Sequence, residues 1–202
     1  MAFSRDLDEA RCVRHTVLVA LSRVRLAGHA TAYPRAGVLG VLIVREEGFV
    51  DRVSARRIPT LGQIFLNRGG FYDSFQTPDS PTEVEVVSGS CMALRASMLE
   101  EIGLLDEATF LYWEEFILAE KVRRSSYKTI LFPDVRVVHK GGRAVKALGT
   151  AAARAFMDSM DHYLKTYRGV GYVRRRLVGL GPAASFLPGT LRTMLGLRAK
   201  TT

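Results

Sequence analysis

Glu114 and Glu115 stand side by side at the start of a helical stretch, directly after Tyr112-Trp113, and the next strand ends in His139-Lys140-Gly141-Gly142. A carboxylate at a helix N-terminus is favoured as the anion by the macrodipole. It acts as a general base once a substrate hydroxyl comes within hydrogen-bond reach. Tyr112 and Trp113 offer flat apolar faces of the kind that pack on sugar rings or other apolar ligands. His139 lies at the C-terminal end of a strand, where open α/β sheets present their ligand sites. A neutral imidazole there is a ligand type for a divalent cation bound to a diphosphate. Each group also has a plain structural role open to it: a glutamate pair opening a helix, a tryptophan in a core, a satisfied histidine, a glycine turn.

The elements that must position these residues alternate as in an α/β domain. Residues 7–27 carry apolar groups at helical spacing and end at Gly28, which predicts a helix. "AGVLGVLIV" is a short β-branched run bounded by glycines and reads as a buried strand. Residues 45–82 read as a long loop with one short helix around Leu61–Leu66. "EVEVVSGSCMAL" reads as a strand broken at Ser88-Gly89-Ser90, followed by a short helix closed by Gly103. Glu114–Arg124 is a second helix with Phe116, Leu118, Ala119 and Val122 on its buried side. "KTILFP" and "VRVVH" are two apolar pieces around a turn at Pro133-Asp134. Lys146 to about Arg168 is helical and stops at Gly169. The remaining tail reads as two short amphipathic helices broken at Gly181-Pro182 and Pro188-Gly189. Three regions follow: an N-terminal helical segment (1–32), a central α/β region (33–145) and C-terminal helices with a basic amphipathic tail (146–202).

The 202 residues, 48% of them hydrophobic, suffice for one domain with a core. Two cysteines, Cys12 and Cys91, make no disulfide framework and read as small buried groups. "MAFSRDLDEARC" has no apolar signal-peptide core, so the chain reads as cytoplasmic. The net charge is +9, yet residues 162–202 hold eight Lys or Arg and no acidic group, leaving 21 basic against 20 acidic residues before them. The basicity is therefore local. Its arginines alternate with Leu, Val, Phe and Met rather than with a base-stacking surface. That favours an anionic membrane surface over a nucleic acid. Arg174, Arg175 and Arg176 would meet head groups, with Leu177, Phe186, Leu187 and Leu195 at the interface, peripheral to the inner face of the plasma membrane.

The stretch "VVSGSCMALRASMLEEIGLLDEATFLYWEEFILAEKVRRSSYKTILFPDVRVVHKGG" resembles the C-terminal half of family 2 glycosyltransferases, the rhamnosyltransferase-like members in particular. The resemblance is carried by Val87-Ser88-Gly89-Ser90-Cys91 with Arg95, then Gly103, Asp106-Glu107, Phe110-Leu111-Tyr112 and Glu114-Glu115. Tyr127, Pro133, Val138-His139 and Gly142 follow in the same order. "YPRAGVLG", "RVSARRIPT" and "MDHYLKTYRG" extend it from about Tyr33 to Gly169. It implies a partial GT-A-like (nucleotide-diphospho-sugar transferase) fold that lacks most of the N-terminal nucleotide-binding half and ends in a helical tail.

The same resemblance implies roles. Glu115, with Glu114 as the alternative, would be the base for an inverting displacement. Asp106, Tyr112 and Trp113 would face the acceptor, Ser88 and Gly89 the donor sugar, and His139 the metal. The donor would be a nucleotide-diphospho-sugar and the acceptor a cell-envelope glycan or lipid-linked molecule. A divalent metal, Mn or Mg, would bind only if an Asp-x-Asp half completes the site. Asp6-Leu7-Asp8 has that form but lacks the preceding apolar strand and reads as a charged helix start. A second chain supplying the missing half is a further expectation. The sequence departs from the family pattern at Glu115 (usually Asp), Ile117 (a later Asp) and Lys121 (usually Arg). A catalytically inactive relic or interaction module that keeps the acceptor-side fold is the alternative function.

Overall fold

The computed structural model describes residues 10–12, 20–66, 76–109, 111–139 and 150–185. In chain order they form β1 (Ala10–Cys12), α1 (Ala20–Ala32), β2 (Ala36–Val44), a 3-10 turn (Arg52–Ser54), β3 (Ala55–Arg56) and α2 (Leu61–Leu66). There follow β4 (Thr82–Glu83), β5 (Val86–Val87), β6 (Met92–Arg95), α3 (Ala96–Glu101), α4 (Glu114–Val122), β7 (Lys128–Val138), α5 (Thr150–Thr166) and α6 (Tyr172–Ser185). Asp6-Leu7-Asp8, Phe110, Lys140-Gly141-Gly142, Phe186, Leu187 and Leu195 lie outside the described residues, as does the side chain of Cys12.

An almost wholly apolar run such as β2 is stable only when covered on both faces, and every residue of it except Val44 is buried. It pairs in parallel with β7 and antiparallel with β6 at the centre of a five-stranded mixed sheet ordered β1-β6-β2-β7-β4. β3 and β5 form a separate two-stranded ribbon. One face of the large sheet packs Leu39, Val41, Ile43 and Phe132 against Leu26 and Ala30 of α1. The other packs Val38, Leu42 and Leu131 against Val87, Met98, Leu118 and Val122. Beyond α4 lies a third, aromatic cluster in which Trp113, Phe116 and Tyr163 meet Ile64, Met160 and Val178. α4 and α5 are also tied by the buried Glu120, which takes Arg123 at 2.6 Å and Tyr163 Oη at 3.4 Å.

Arg95, one of the motif residues, is structural. Its buried guanidinium donates to the carbonyls of Ala30 and Ala36, joining the end of α1 to the start of β2.

Several elements differ from expectation. Residues 45–82, read as a loop with one short helix, also hold the 3-10 turn and β3, because Ala55–Arg56 pairs with the distant Val86–Val87. Residues 10–12 do not continue a helix but pair with Ala93–Arg95, covering the edge of β6, so the N-terminal segment contributes a strand to the sheet. An exposed strand edge recruits backbone partners more strongly than helix propensity resists. The helix itself runs through Gly28 to Ala32. The turn at Pro133-Asp134 is instead an irregularity inside one strand: the pairing jumps from Val41–Phe132 to Leu42–Arg136. Pro133 has no ladder hydrogen bond to lose at such a point, and α1 grips the displaced backbone through Arg25, which donates to the Asp134 carbonyl at 2.9 Å. Finally, α6 continues through Pro182. Its buried Val178 and Pro182 hold it on the body, and Gly181 lies against the Phe65 carbonyl where a Cβ would stand only 1.5 Å away.

Gly40 sets the height of β5 above the sheet. A Cβ there would stand 2.3 Å from Val87 Cγ1. Gly40→Ala is expected to lower stability by about 1–3 kcal/mol, the usual cost of overpacking. In denaturant unfolding, Gly40→Ala combined with Val87→Ala should cost less than the two single changes added together.

Candidate active site

A sharp turn brings the chain into α4. Tyr112 and Trp113 both sit in the left-handed region, at φ 68° and 69°, a conformation that costs non-glycine residues roughly 1–3 kcal/mol each. Aromatic packing holds it: the Trp113 ring stacks on Tyr163 at 5.1 Å and meets Phe116 at 5.2 Å, while Tyr112 meets Phe156 at 5.4 Å. The strained pair lets the helix begin abruptly with two glutamates in its first turn.

Glu115 reaches across to the broken strand. The Gly89 N–H donates to Glu115 Oε1 at 3.0 Å, and Arg56 Nη2 lies 3.2 Å from the same oxygen. A Cβ on residue 89 would fall 3.0 Å from Oε1 and 3.1 Å from Cγ of Glu115, so any larger residue there would press on the carboxylate. Ser88 and Ser90 close the loop with their hydroxyls 2.7 Å apart. Arg56 arrives from the small ribbon, where it pairs with Val86 one residue ahead of Val87 and the loop. Its guanidinium lies 4.8 Å over the Phe116 ring. Both contacts fall on Oε1.

Glu114 is different. Its surface reaches solvent, but the protein crowded around its carboxyl desolvates it. That, with the negative charge of Glu115, pushes its pKa up to about 7.

The structure thus brings together Glu114, Glu115, Ser88 and Gly89, and adds Arg56. No sequence signal singled out Arg56, because its partner lies across the ribbon and two loops away. Tyr112 and Trp113 adjoin the pair, but Trp113 is only 3% exposed and its faces are committed to the aromatic cluster. Asp106 is turned toward α5: His162 Nε2 lies 2.8 Å from Oδ2 and the Tyr167 hydroxyl donates to the same oxygen. Burial alone would raise its pKa, yet these hydrogen bonds outweigh that and hold it to about 2. Two buried polar atoms of the same turn, Thr109 Oγ1 and Trp113 Nε1, have no hydrogen-bond partner among the described residues.

His139 directly follows β7, its backbone N–H donating to the Val44 carbonyl at 3.0 Å. Among the described residues no three His, Cys, Asp or Glu side chains gather into a metal site. Hard divalent cations take several oxygen ligands, so these residues do not by themselves fit one. The void lined by Glu115, Val87, Met92 and Leu118 is about 10 Å³, too small for a sugar.

A mixed α/β sheet carrying a carboxylate pair against a glycine loop is compatible with a sugar-transferring enzyme. The chain is 31% identical, over an alignment of 121 residues, to N-acetylglucosaminyl-diphospho-decaprenol L-rhamnosyltransferase from two strains of Mycobacterium tuberculosis. That alignment takes in 54% of this chain and 39% of those proteins, so the chain spans about two fifths of the length of the curated relatives it matches. No protein-family model matches it.

The raised affinity of Glu114 has a pH consequence. Its folded pKa of about 7 lies above its ordinary 4.5, so the folded state holds the proton more tightly than the unfolded state does. Stability is therefore lost as pH rises from about 4.5 through 7. Measured against Glu114→Gln, the wild type should lose unfolding free energy across that window and stay level above it. Parallel curves for the two proteins would mean that Glu114 is an ordinary surface carboxylate.

Proposed function

We propose that the chain is a glycosyltransferase, or part of one, of the family 2, rhamnosyltransferase-like kind. It would transfer a sugar with inversion from a nucleotide-diphospho-sugar to a cell-envelope glycan or lipid-linked acceptor. The observation that carries the reading is the contact of Glu115 Oε1 with the Gly89 N–H: the two motif segments on which the resemblance rests meet in space. The partial likeness to a rhamnosyltransferase supports it as well.

In this reading Glu115 is the base. Arg56 and Gly89 orient the carboxylate through Oε1, and Oε2 takes the proton of the acceptor hydroxyl as its oxygen attacks the anomeric carbon. The bond from that carbon to the diphosphate breaks, and the nucleoside diphosphate leaves with the electron pair. Ser88 and Gly89 line the approach of the donor sugar. Tyr112, half-buried beside the glutamates, would face the acceptor, while Trp113 packs in the aromatic cluster behind it. Asp106 holds the 106–113 turn on α5 rather than touching the acceptor. A divalent cation would bind only if an Asp-x-Asp half, in the same or a second chain, supplied acidic ligands beside His139, and it would there offset charge on the diphosphate. A catalytically silent module with the same fold is the second reading, favoured by the ion pair that occupies Oε1.

Nucleoside diphosphate release from a nucleoside-diphospho-sugar in the presence of a polyprenyl-diphosphate-linked acceptor tests the proposal. Glu115→Gln keeps shape and hydrogen bonding but removes the basicity, so turnover should fall roughly 10²–10⁴-fold. Glu114→Gln should cost less. Activity lost in Glu114→Gln and kept in Glu115→Gln would reverse the roles. Absence of donor binding by calorimetry would favour the silent module.

A further inference from the structure

We infer that the outer face of α6, together with the end of α2, is a docking surface for an anionic lipid bilayer. Val173, Leu177 and Leu180 are 70%, 54% and 59% exposed. Their spacing of four and three residues lines them along one side of the helix. The opposite side is fixed to the body: Val178 and Pro182 are buried, and Gly179 faces the ends of Met157 and Met160. The apolar stripe therefore points outward because the fold holds it there.

A second element adds to it. Gly181 packs directly on the Phe65 backbone at the end of α2, and Phe65 and Leu66 are themselves 45% and 55% exposed. Two separate elements present large apolar side chains at one junction, where a helix facing only water would carry polar ones.

Charge selects the occupant. Arg174 and Arg176 are exposed and flank the stripe, and residues 162–202 contain no Asp or Glu. Arg176 lies 5.1 Å over the Tyr172 ring, an amphipathic pair suited to the depth of head groups. Arg175, which the sequence suggested would join them, is turned inward to Asp161 at 2.8 Å and to the Val170 carbonyl. A narrow apolar stripe between arginines matches shallow insertion with cations at phosphate level. No helix among the described residues is long and apolar enough to cross a membrane, so α6 would lie along the surface. This inference uses none of the residues near Glu115 and stands whether or not the chain transfers sugars.

Co-sedimentation of the full chain with vesicles of phosphatidylcholine alone, or mixed with phosphatidylglycerol, tests it. Binding should require phosphatidylglycerol and weaken in high salt. It should fall about fivefold for each of Arg174→Ser and Arg176→Ser, and at least about tenfold for Leu177→Glu with Leu180→Glu. Circular dichroism confirms that each variant is folded. Equal binding by wild type and the folded Leu177→Glu, Leu180→Glu variant would overturn the inference, as would failure of the wild type to bind. A wild-type dimer in sedimentation that these substitutions dissolve would instead assign the face to a second copy of the chain.

Discussion

Everything distinctive about the site converges on one oxygen, Glu115 Oε1, shared between the Gly89 amide and the Arg56 guanidinium. Three elements with no sequence proximity meet there: the first turn of α4, the loop between β5 and β6, and the β3 strand. The carboxylate is oriented by an amide on one side and a cation on the other, which fixes its position. Preorganisation of this kind makes a carboxylate useful to catalysis, because the rearrangement is not repeated at each turnover.

The rest of the fold can be read as the means of maintaining that contact. Gly40 lets Val87 lie close on the sheet, which sets the height of the serine-glycine loop. Glycine at 89 admits the glutamate, and the left-handed pair Tyr112-Trp113 aims the helix start at it. Backbone strain at Tyr112 and Trp113 persists because Tyr163, Phe116 and Phe156 enclose the indole. Those rings are held in turn by Glu120 and Arg168: the arginine donates to the Tyr163 hydroxyl at 3.0 Å, and the glutamate accepts from that hydroxyl.

Much of this was legible in the sequence, and the parts that were not share a cause. β2, the short helix at Leu61–Leu66, the stop at Gly103 and the start of α4 at Glu114 are local patterns, and the structure places them as read. The loop Ser88-Gly89-Ser90 and the glutamate pair were visible as residue types. Their meeting, and the arrival of Arg56, depend on non-local pairing of β3 with β5 that no spacing encodes. The strand at Ala10–Cys12 escaped for the same reason, since only the free edge of β6 makes it extended. Pro133 and Pro182 misled because proline is a reliable breaker only where tertiary packing does not compensate. Here a strand irregularity absorbs one and a buried helix face the other. Asp106 kept its place in the motif order, yet its carboxylate is bound by α5, which only the folded chain reveals.

The contact at Oε1 can be observed directly by nitrogen-15 NMR of the Gly89 amide. A charge-assisted hydrogen bond to a carboxylate shifts its amide proton downfield. The account predicts a downfield Gly89 proton in the wild type that moves upfield in Glu115→Gln and is left nearly in place by Glu114→Gln, with the amide of Ala93 in β6 unchanged in all three. A Gly89 resonance indifferent to Glu115→Gln would contradict it: the carboxylate would then not be held at the loop, and the site would lose the interaction that defines it.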